Sequence, residues 1–161
     1  GMTLTGQGEL WVAAMYDHQI HRYNLEGLPI GPPINACRFP RHLALSPSSN
    51  QVVISCSSNR SLRWRSPVTG ELLQIAGVGE NPRTLAISHD GRYVATADFD
   101  SSTVSVIDTV NGRRRINEVP GADRIVGVAF HPHRLRIYAT SWNNQRLLVL
   151  EPRATEPPRL D

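Results

Sequence analysis

The sequence contains no lysine, so its seventeen basic residues are all arginine. These arginines are scattered along the whole chain, whereas a DNA-binding face usually concentrates its basic residues on one element. The formal net charge of +3 therefore does not predict a nucleic-acid partner. A guanidinium group binds anions through two parallel hydrogen bonds, so the composition still suits an anionic ligand.

Long apolar runs are also absent, and none approaches the roughly 18 to 20 residues that a membrane-spanning helix needs. The longest run near the N-terminus, residues 10–16, is short and follows no basic segment. We therefore predict no secretory signal and no membrane contact, and we expect a cytoplasmic protein. Gly1 ahead of Met2 reads as a cloning remnant.

Cysteine is scarce, and the two that occur, Cys37 and Cys56, stand at different points of the repeat described below. Neither belongs to a Cys-x-x-Cys pair, which argues against a zinc site. We expect no disulfide framework and two reduced thiols, which agrees with a cytoplasmic location.

The sequence does contain an internal repeat, and its clearest copy is residues 81–122. This copy holds short runs with alternating apolar and polar residues, separated by turn residues. Equivalent apolar positions recur along the chain at steps of 42 or 43: Ala44, Ala86 and Ala129; Ile20, Leu62, Val104 and Leu147. A period near 42 with about four short strands per period is typical of a β-propeller blade.

The repeat divides the chain into about four blade units, residues 3–37, 38–80, 81–122 and 123–150, in one domain. Residues 151–161 form a Pro-rich tail. The predicted strands number three, four, four and three, because the first unit lacks an innermost strand and the last stops after its third. The predicted fold is all-β, a propeller array of about four blades.

An open array of blades exposes an apolar sheet face at each end. We therefore predict a half-propeller that a second copy completes, as a homodimer with a seven- to eight-bladed ring. A closed four-bladed ring and a fragment of a larger protein are the alternatives.

Two segments carry a family resemblance. Residues 82–97 read Pro-Arg-Thr-Leu-Ala-Ile-Ser-His-Asp-Gly-Arg-Tyr-Val-Ala-Thr-Ala and, with residues 102–112, resemble a repeat of the YVTN-type, lactonase-like seven-bladed propellers. Residues 60–64 and 68–71 are more similar to a WD-repeat, although the Trp-Asp dipeptide is absent. The resemblance implies a propeller architecture, and it implies lactonase-like hydrolysis only by analogy.

No residue pattern predicts a catalytic group, a metal site or a cofactor. Ser88, His89 and Asp90 are neighbours in one turn, and adjacent residues cannot form the Ser–His–Asp relay. His131 and His133 flank a proline in a turn, and spacing supplies no third metal ligand.

The candidate ligand-binding residues are three arginines and one tryptophan. Arg41, Arg83 and Arg124 are spaced 42 and 41 apart, each just before a predicted innermost strand, so they should ring one mouth of the central channel. Converging guanidinium groups repel one another unless an anion or carboxylates lie between them. Trp142 follows a second strand, where an exposed aromatic residue would suit partner binding.

Two interpretations of these arginines stay open. Carboxylates are available in Asp98, Asp100 and Asp123, so each arginine could instead hold neighbouring blades together. Trp11 and Trp64 are expected to be buried between blades.

The sequence favours a non-enzymatic interaction scaffold that binds a protein partner or an anionic ligand at the propeller mouth. The alternatives are a lactonase-like hydrolase and a structural propeller fragment of a larger protein.

Overall fold

The computed structural model of the chain describes residues 1–112, 114–119 and 122–151. Every regular element in these residues is a β-strand, fifteen in all, and none is a helix able to cross a membrane. The strands form four antiparallel sheets, each pairing consecutive strands in order. We call these sheets blades 1 to 4. They confirm the predicted all-β array.

Each blade runs from an innermost strand outward. Blade 1 contains β1 (Met2–Leu4), β2 (Leu10–Ala14), β3 (Gln19–Tyr23) and β4 (Ile34–Asn35). Blade 2 contains β5 (Pro40–Leu45), β6 (Val52–Cys56), β7 (Ser61–Arg65) and β8 (Leu72–Gly77). Blade 3 contains β9 (Pro82–Ile87), β10 (Tyr93–Asp98), β11 (Thr103–Asp108) and β12 (Arg114–Glu118). Blade 4 contains β13 (Ile125–Phe130), β14 (Ile137–Ser141) and β15 (Arg146–Leu150).

Position in the array explains the composition of the strands. The innermost strands β1, β5, β9 and β13 lie side by side, so blades 2 and 3 are covered on both faces. Their middle strands β6, β10 and β11 are buried almost throughout and carry nearly continuous apolar or small residues. The outer strand β8 alternates between exposed and half-buried residues because only one of its faces packs on the core.

Three apolar clusters fill the spaces between neighbouring blades. Trp11 is fully buried between blades 1 and 2, and Trp64 is buried between blades 2 and 3, as the sequence predicted. Burial between sheets, rather than within one sheet, is therefore what holds the array together.

The turns between second and third strands repeat one backbone geometry. The last residue of each turn has a positive φ, and these residues are His18, Arg60, Ser102 and Gln145. They are separated by steps of 42, 42 and 43, the period found in the sequence. Since a non-glycine residue rarely adopts this conformation, its recurrence shows that the four turns are structural equivalents.

Blade 1 corrects the prediction that the first unit lacks an innermost strand. β1 pairs with β2 through Met2 opposite Val12 and Leu4 opposite Leu10. A strand of three residues is too short to show an alternating pattern in the sequence. Blade 4 has three strands among the described residues, as predicted, and the predicted tail lies outside them except for Glu151.

The two cysteines correct the prediction of reduced thiols, because Cys37 and Cys56 form a disulfide. Cys37 lies in the link between blades 1 and 2, and Cys56 is the last residue of β6. Both are buried in the apolar cluster between these blades. The bond joins non-equivalent positions of two blades, so the repeat pattern could not reveal it. The argument from reduced thiols for a cytoplasmic location no longer holds, and the location itself stays a prediction.

Candidate functional site at the propeller mouth

One end of the array, which we call the mouth, is built from two sets of loops. The first set is the turns between second and third strands, residues 15–18, 57–60, 99–102 and 142–145. The second set is the links that lead into the innermost strands of blades 2 to 4. Every residue predicted to bind a ligand lies at this end.

A repeated backbone hydrogen bond joins the two sets of loops. The N–H of Ser57 donates to the carbonyl of Phe39 at 3.0 Å, and that of Phe99 donates to Asn81 at 3.2 Å. In blade 4 the N–H of Trp142 donates to the carbonyl of Arg124 at 2.9 Å. The acceptor residues all have a positive φ. These bonds hold the first residue of the turns in blades 2, 3 and 4 at the rim of the mouth.

The same hydrogen bonds correct the assumed equivalence of the three arginines. In blade 4 the carbonyl of Arg124 accepts the hydrogen bond that the carbonyl of Asn81 accepts in blade 3, so Arg124 is the equivalent of Asn81. It therefore lies two residues before the position that Arg41 and Arg83 occupy. In blade 4 that position belongs to Val126, which lines the same cleft as Arg41 and Arg83. The step of 41 in the sequence reflected this difference in position.

Arg83 and Arg124 nevertheless converge on one aromatic ring. The Cζ atom of Arg83 lies 3.3 Å from the centre of the Phe99 ring, and that of Arg124 lies 5.1 Å from it. Phe99 is almost fully buried, so its ring is a fixed platform. Stacking on the ring positions two guanidinium groups at the mouth although they repel each other.

The electrostatic environment of Arg83 is unfavourable for its charge. Burial lowers the pKa of the Arg83 guanidinium, the positive charges of Arg41 and Arg124 lower it further, and Asp100 opposes the shift. Arginine nevertheless stays protonated in proteins. The charge therefore remains, and a bound anion would relieve the repulsion around it.

None of the three arginines forms an ion pair with a carboxylate among the described residues. The Nε atom of Arg83 is buried and has no hydrogen-bond partner. A buried polar atom without a partner costs free energy comparable to a lost hydrogen bond. Beside the missing ion pairs, this atom shows that the packing around Arg83 leaves part of its guanidinium group without a partner.

The carboxylates proposed as partners are engaged elsewhere or lie apart. Asp98 is fully buried and accepts hydrogen bonds from the hydroxyls of Thr96, Thr103 and Ser105. Asp123 accepts a hydrogen bond from the Asn143 amide at 2.9 Å. Asp100 is the one whose charge acts on Arg83, without forming an ion pair with it.

A cleft of about 400 Å³ runs along the axis side of the mouth. Arg41 and Arg83 line it together with Thr84 and Val126, and Met15 and Trp142 stand in the turns of the two end blades. The Trp142 side chain is 65% exposed. A second cleft of about 360 Å³ lies between the turns of blades 1 to 3 and includes Arg41 and Asp100. Arg41 thus lies where both clefts meet.

Sequence reasoning missed Phe99 and Met15 as site residues. Both align with Trp142 in the repeat, and this alignment was the available signal. What the alignment could not show is that arginines from two different blades reach the Phe99 ring, because that depends on how the blades pack.

Three of the six histidines, His89, His131 and His133, lie at the opposite end of the array, around a cleft of about 300 Å³. His89 approaches His133, with ring centres 6.4 Å apart, and His131 lies 6.3 Å from His133. The described residues contain no group of three or more His, Cys, Asp or Glu arranged to hold a metal ion.

Ser88 and Asp90 form a turn, as the sequence predicted. The hydroxyl of Ser88 donates to Asp90 Oδ1 at 2.6 Å and accepts from the N–H of Tyr93 at 2.9 Å. Both bonds close the turn between β9 and β10, and neither engages His89. The three adjacent residues therefore do not form a catalytic relay.

Comparison with known proteins supports the architecture. No protein-family model matches the sequence. A hydrazine synthase from Kuenenia stuttgartiensis matches with a TM-score of 0.82 and 15% identity, over 93% of this chain and 45% of that chain. The Cps50 (Swd1) β-propeller domain of Myceliophteria thermophila matches with a TM-score of 0.77 and 15% identity, over 94% of this chain and 53% of that one. A streptogramin B lyase matches with a TM-score of 0.74 and 17% identity, over 96% of this chain and 55% of that one.

These likenesses show the fold alone, because the identities are low. The chain spans about half the length of the solved structures that it matches. Its four sheets therefore define a partial β-propeller, which agrees with the half-propeller predicted from the repeat.

Proposed function

We propose that this chain is a non-enzymatic propeller scaffold whose mouth binds an acidic segment of a partner protein. The observation that carries the proposal is the convergence of Arg41, Arg83 and Arg124 without an ion pair among the described residues. The excess of positive charge, which Asp100 offsets only in part, calls for an anionic group, and carboxylates bind guanidinium groups with two parallel hydrogen bonds.

The shape of the mouth favours a peptide segment over a small isolated anion. The cleft that holds Arg41 and Arg83 extends across the inner strands toward both end blades. The apolar side chains of Met15 and Trp142, from the turns of the two end blades, also line it. Exposed aromatic residues beside charged ones are typical of protein-binding surfaces. A segment with carboxylates flanked by apolar residues fits this arrangement.

Residues 82–97 support a finer proposal, that the third unit is a YVTN-type repeat, while residues 60–71 resemble a WD-repeat. The lactonase-like hydrolase and the structural fragment remain alternative predictions. No contact or cluster among the described residues favours the hydrolase.

The proposal is tested by titrating a fluorescently labelled, glutamate-rich peptide against the protein and following its anisotropy. The variant Arg41→Ala/Arg83→Ala/Arg124→Ala should weaken binding by about a hundredfold or more, since a hydrogen bond to a charged group contributes about 1.5–3 kcal/mol. Free glutamate, as competitor, should displace the peptide only weakly; strong displacement would indicate a small-anion site instead.

A matched control removes three charges from the opposite end of the array. Arg92, Arg134 and Arg136 lie in turns between innermost and second strands, and replacing them with Ala changes the net charge equally. This variant should bind the peptide almost as well as the wild-type protein. Equal weakening in both variants would show that the peptide responds to the net charge of the protein and not to the arginines at the mouth. Unfolding of the mouth variant, seen as a large drop in melting temperature, would show that the arginines hold the blades together.

A further inference from the structure

Two surfaces meet at every junction between neighbouring blades, and equivalent strand positions supply them each time. At the junction of blades 2 and 3, blade 2 contributes what we call its leading surface, and blade 3 contributes its trailing surface. The leading surface is formed by Val53, Leu62 and Trp64, and the trailing surface by Leu85, Val94 and Ile107. At the junction of blades 1 and 2 the equivalent positions meet: Trp11 and Ile20 against Leu43, Val52 and Ile54.

Blade 4 has a leading surface that no described residue covers. Its residues are repeat equivalents of Ala44, Val53, Leu62 and Trp64, namely Ala129, Tyr138, Leu147 and Val149. Cross-strand pairing joins Ala129, Tyr138 and Val149 in one row, so they share a face. Leu147 is 67% exposed and Val149 is 56% exposed. Isolated exposed leucines are ordinary, but a continuous apolar sheet face is not.

Blade 1 has an uncovered trailing surface. Met2 pairs with Val12 and Leu4 pairs with Leu10, so the four side chains lie on one face. Leu10 and Val12 are the equivalents of Val52 and Ile54, which are buried at the first junction. Met2 and Leu4 are 61% and 52% exposed. Each chain therefore carries one free copy of each surface that meets at its internal junctions.

We infer that a second copy of this chain covers both surfaces, with the leading surface of blade 4 of each copy on the trailing surface of blade 1 of the other. Two such junctions, related by a two-fold axis through the centre, close a ring of eight blades. The occupant is a second copy because the free leading surface of blade 4 and the free trailing surface of blade 1 have the repeat positions that meet at the internal junctions.

The ring bears on the mouth as well. Each copy contributes Arg41, Arg83 and Arg124, so the completed channel has six guanidinium groups at one end. Trp142 of one copy then lies beside the turn that carries Met15 of the other. The inference stands without the proposed ligand, since it depends only on the two apolar surfaces.

Solution mass is the first measurement. Light scattering over a concentration series should give twice the 17.9 kDa mass of the chain. A mass that stays at one chain at all concentrations would overturn the inference and assign the free surfaces to further blades outside this sequence. A mass that keeps growing with concentration would show an open polymer, which also overturns the closed ring.

Two charged substitutions test which surfaces meet. Leu147→Asp alters only the leading surface, and Leu4→Asp alters only the trailing surface. Each variant alone should halve the mass, because every junction in the ring then contains a buried aspartate. Val68→Asp is the matched control, since Val68 is 67% exposed but lies in a turn of the inner blade 2. This control should keep the dimer mass.

Mixing the two variants separates this arrangement from other dimers. A ring built from one Leu147→Asp chain and one Leu4→Asp chain keeps one junction free of substitutions, so native mass spectrometry should show the heterodimer. Rescue in the mixture also proves that both variants fold. A Leu4→Asp variant that remains dimeric alone would overturn the inference, because it would place two leading surfaces against each other.

Discussion

The guanidinium carbon of Arg83 lies 3.3 Å from the centre of the Phe99 ring, which is closer than any other arginine approaches an aromatic ring among the described residues. Phe99 begins a turn of blade 3, and Arg83 lies on the innermost strand of the same blade. The contact aligns one charged side chain with the mouth while its aromatic partner remains buried. It links the packing of the blade directly to the candidate site.

Replacing Phe99 with Leu should therefore affect both stability and binding. Leucine keeps an apolar side chain but has no aromatic face, so the free energy of unfolding should fall by about 1 kcal/mol from the lost cation–π contact, with a packing loss in addition. Affinity for the glutamate-rich peptide should also fall, since Arg83 and Arg124 lose their support. Urea unfolding and anisotropy measure the two effects.

The control for this prediction is Phe130→Leu, because Phe130 packs against the cluster between blades 3 and 4. The described residues place no arginine over its ring. It should lose packing free energy without losing affinity for the peptide. Equal loss of affinity in both variants would contradict the role given to Phe99.

The buried Asp98 should make stability depend on pH. Burial raises the pKa of the Asp98 carboxyl, although hydrogen bonds from Ser105, Thr96, Thr103 and the Gly79 N–H oppose the shift. The folded protein therefore holds this proton more tightly than the unfolded chain, whose pKa is near 3.8. The contribution of Asp98 to stability is then largest below pH 3.8 and declines as the pH rises through the raised pKa.

The measurement is the difference in free energy of unfolding between the wild-type protein and Asp98→Asn, followed from acid to neutral pH. The difference should decline as the pH rises and then level off. Asp90→Asn is the control of opposite sign: the hydrogen bond from Ser88 lowers the pKa of Asp90, burial opposes it, and the backbone N–H of Arg92 adds to the lowering. Its difference should increase with pH. A flat curve for Asp98→Asn would refute the prediction.

Gly79→Ala should destabilise the junction of blades 2 and 3. An added Cβ would lie 2.6 Å from the oxygens of Asp98, Ser101 and Thr103, which belong to the buried hydroxyl network. Forcing a methyl group into a packed site costs about 1–3 kcal/mol. Gly6→Ala is the comparison, because its Cβ meets only the exposed amide of Asn50, which can move aside. Chemical denaturation should show a clear fall in the free energy of unfolding for Gly79→Ala and none for Gly6→Ala.

The disulfide should contribute measurably to stability. The cysteines are separated by 19 residues, and closing a loop of that size stabilises the folded state by about 3 kcal/mol in the chain-entropy model. A reducing agent should lower the urea midpoint of the wild-type protein and leave the Cys37→Ala/Cys56→Ala variant unchanged. Free thiols titrated in the denatured, unreduced protein would show instead that the bond does not form.

The tryptophans should separate binding from stability. Trp142→Ala removes a largely exposed side chain, so the free energy of unfolding should change by no more than about 0.5 kcal/mol, while the affinity for the peptide should fall. Trp64→Ala removes a buried side chain and should lower the free energy of unfolding by about 3–5 kcal/mol. Affinity that is unchanged in Trp142→Ala would remove this residue from the proposed site.

Much of the architecture could be predicted because its signals are local and repeated. The steps of 42 and 43 that relate Ile20, Leu62, Val104 and Leu147 follow from equivalent strands that each need one inward apolar residue. The short β1 escaped detection, because three residues carry too little alternation. The arginines were placed at the correct end, but Arg124 was assigned to the wrong repeat position. The hydrogen bond from Trp142 places it two residues earlier, and its step of 41 instead of 43 was the signal in the sequence.

By itself the sequence determined the all-β class, the number of blades and the end of the array at which Arg41, Arg83 and Arg124 lie. These properties depend on residues close in the chain, where the period of apolar side chains decides which face is buried. Only the tertiary structure decided that Cys37 bonds to Cys56, that Asp98 is held by hydroxyls and not by arginines, and that two guanidinium groups share the Phe99 ring. These contacts join non-equivalent positions of the repeat, so they depend on how side chains pack within and between the sheets, and the period of the sequence does not indicate them.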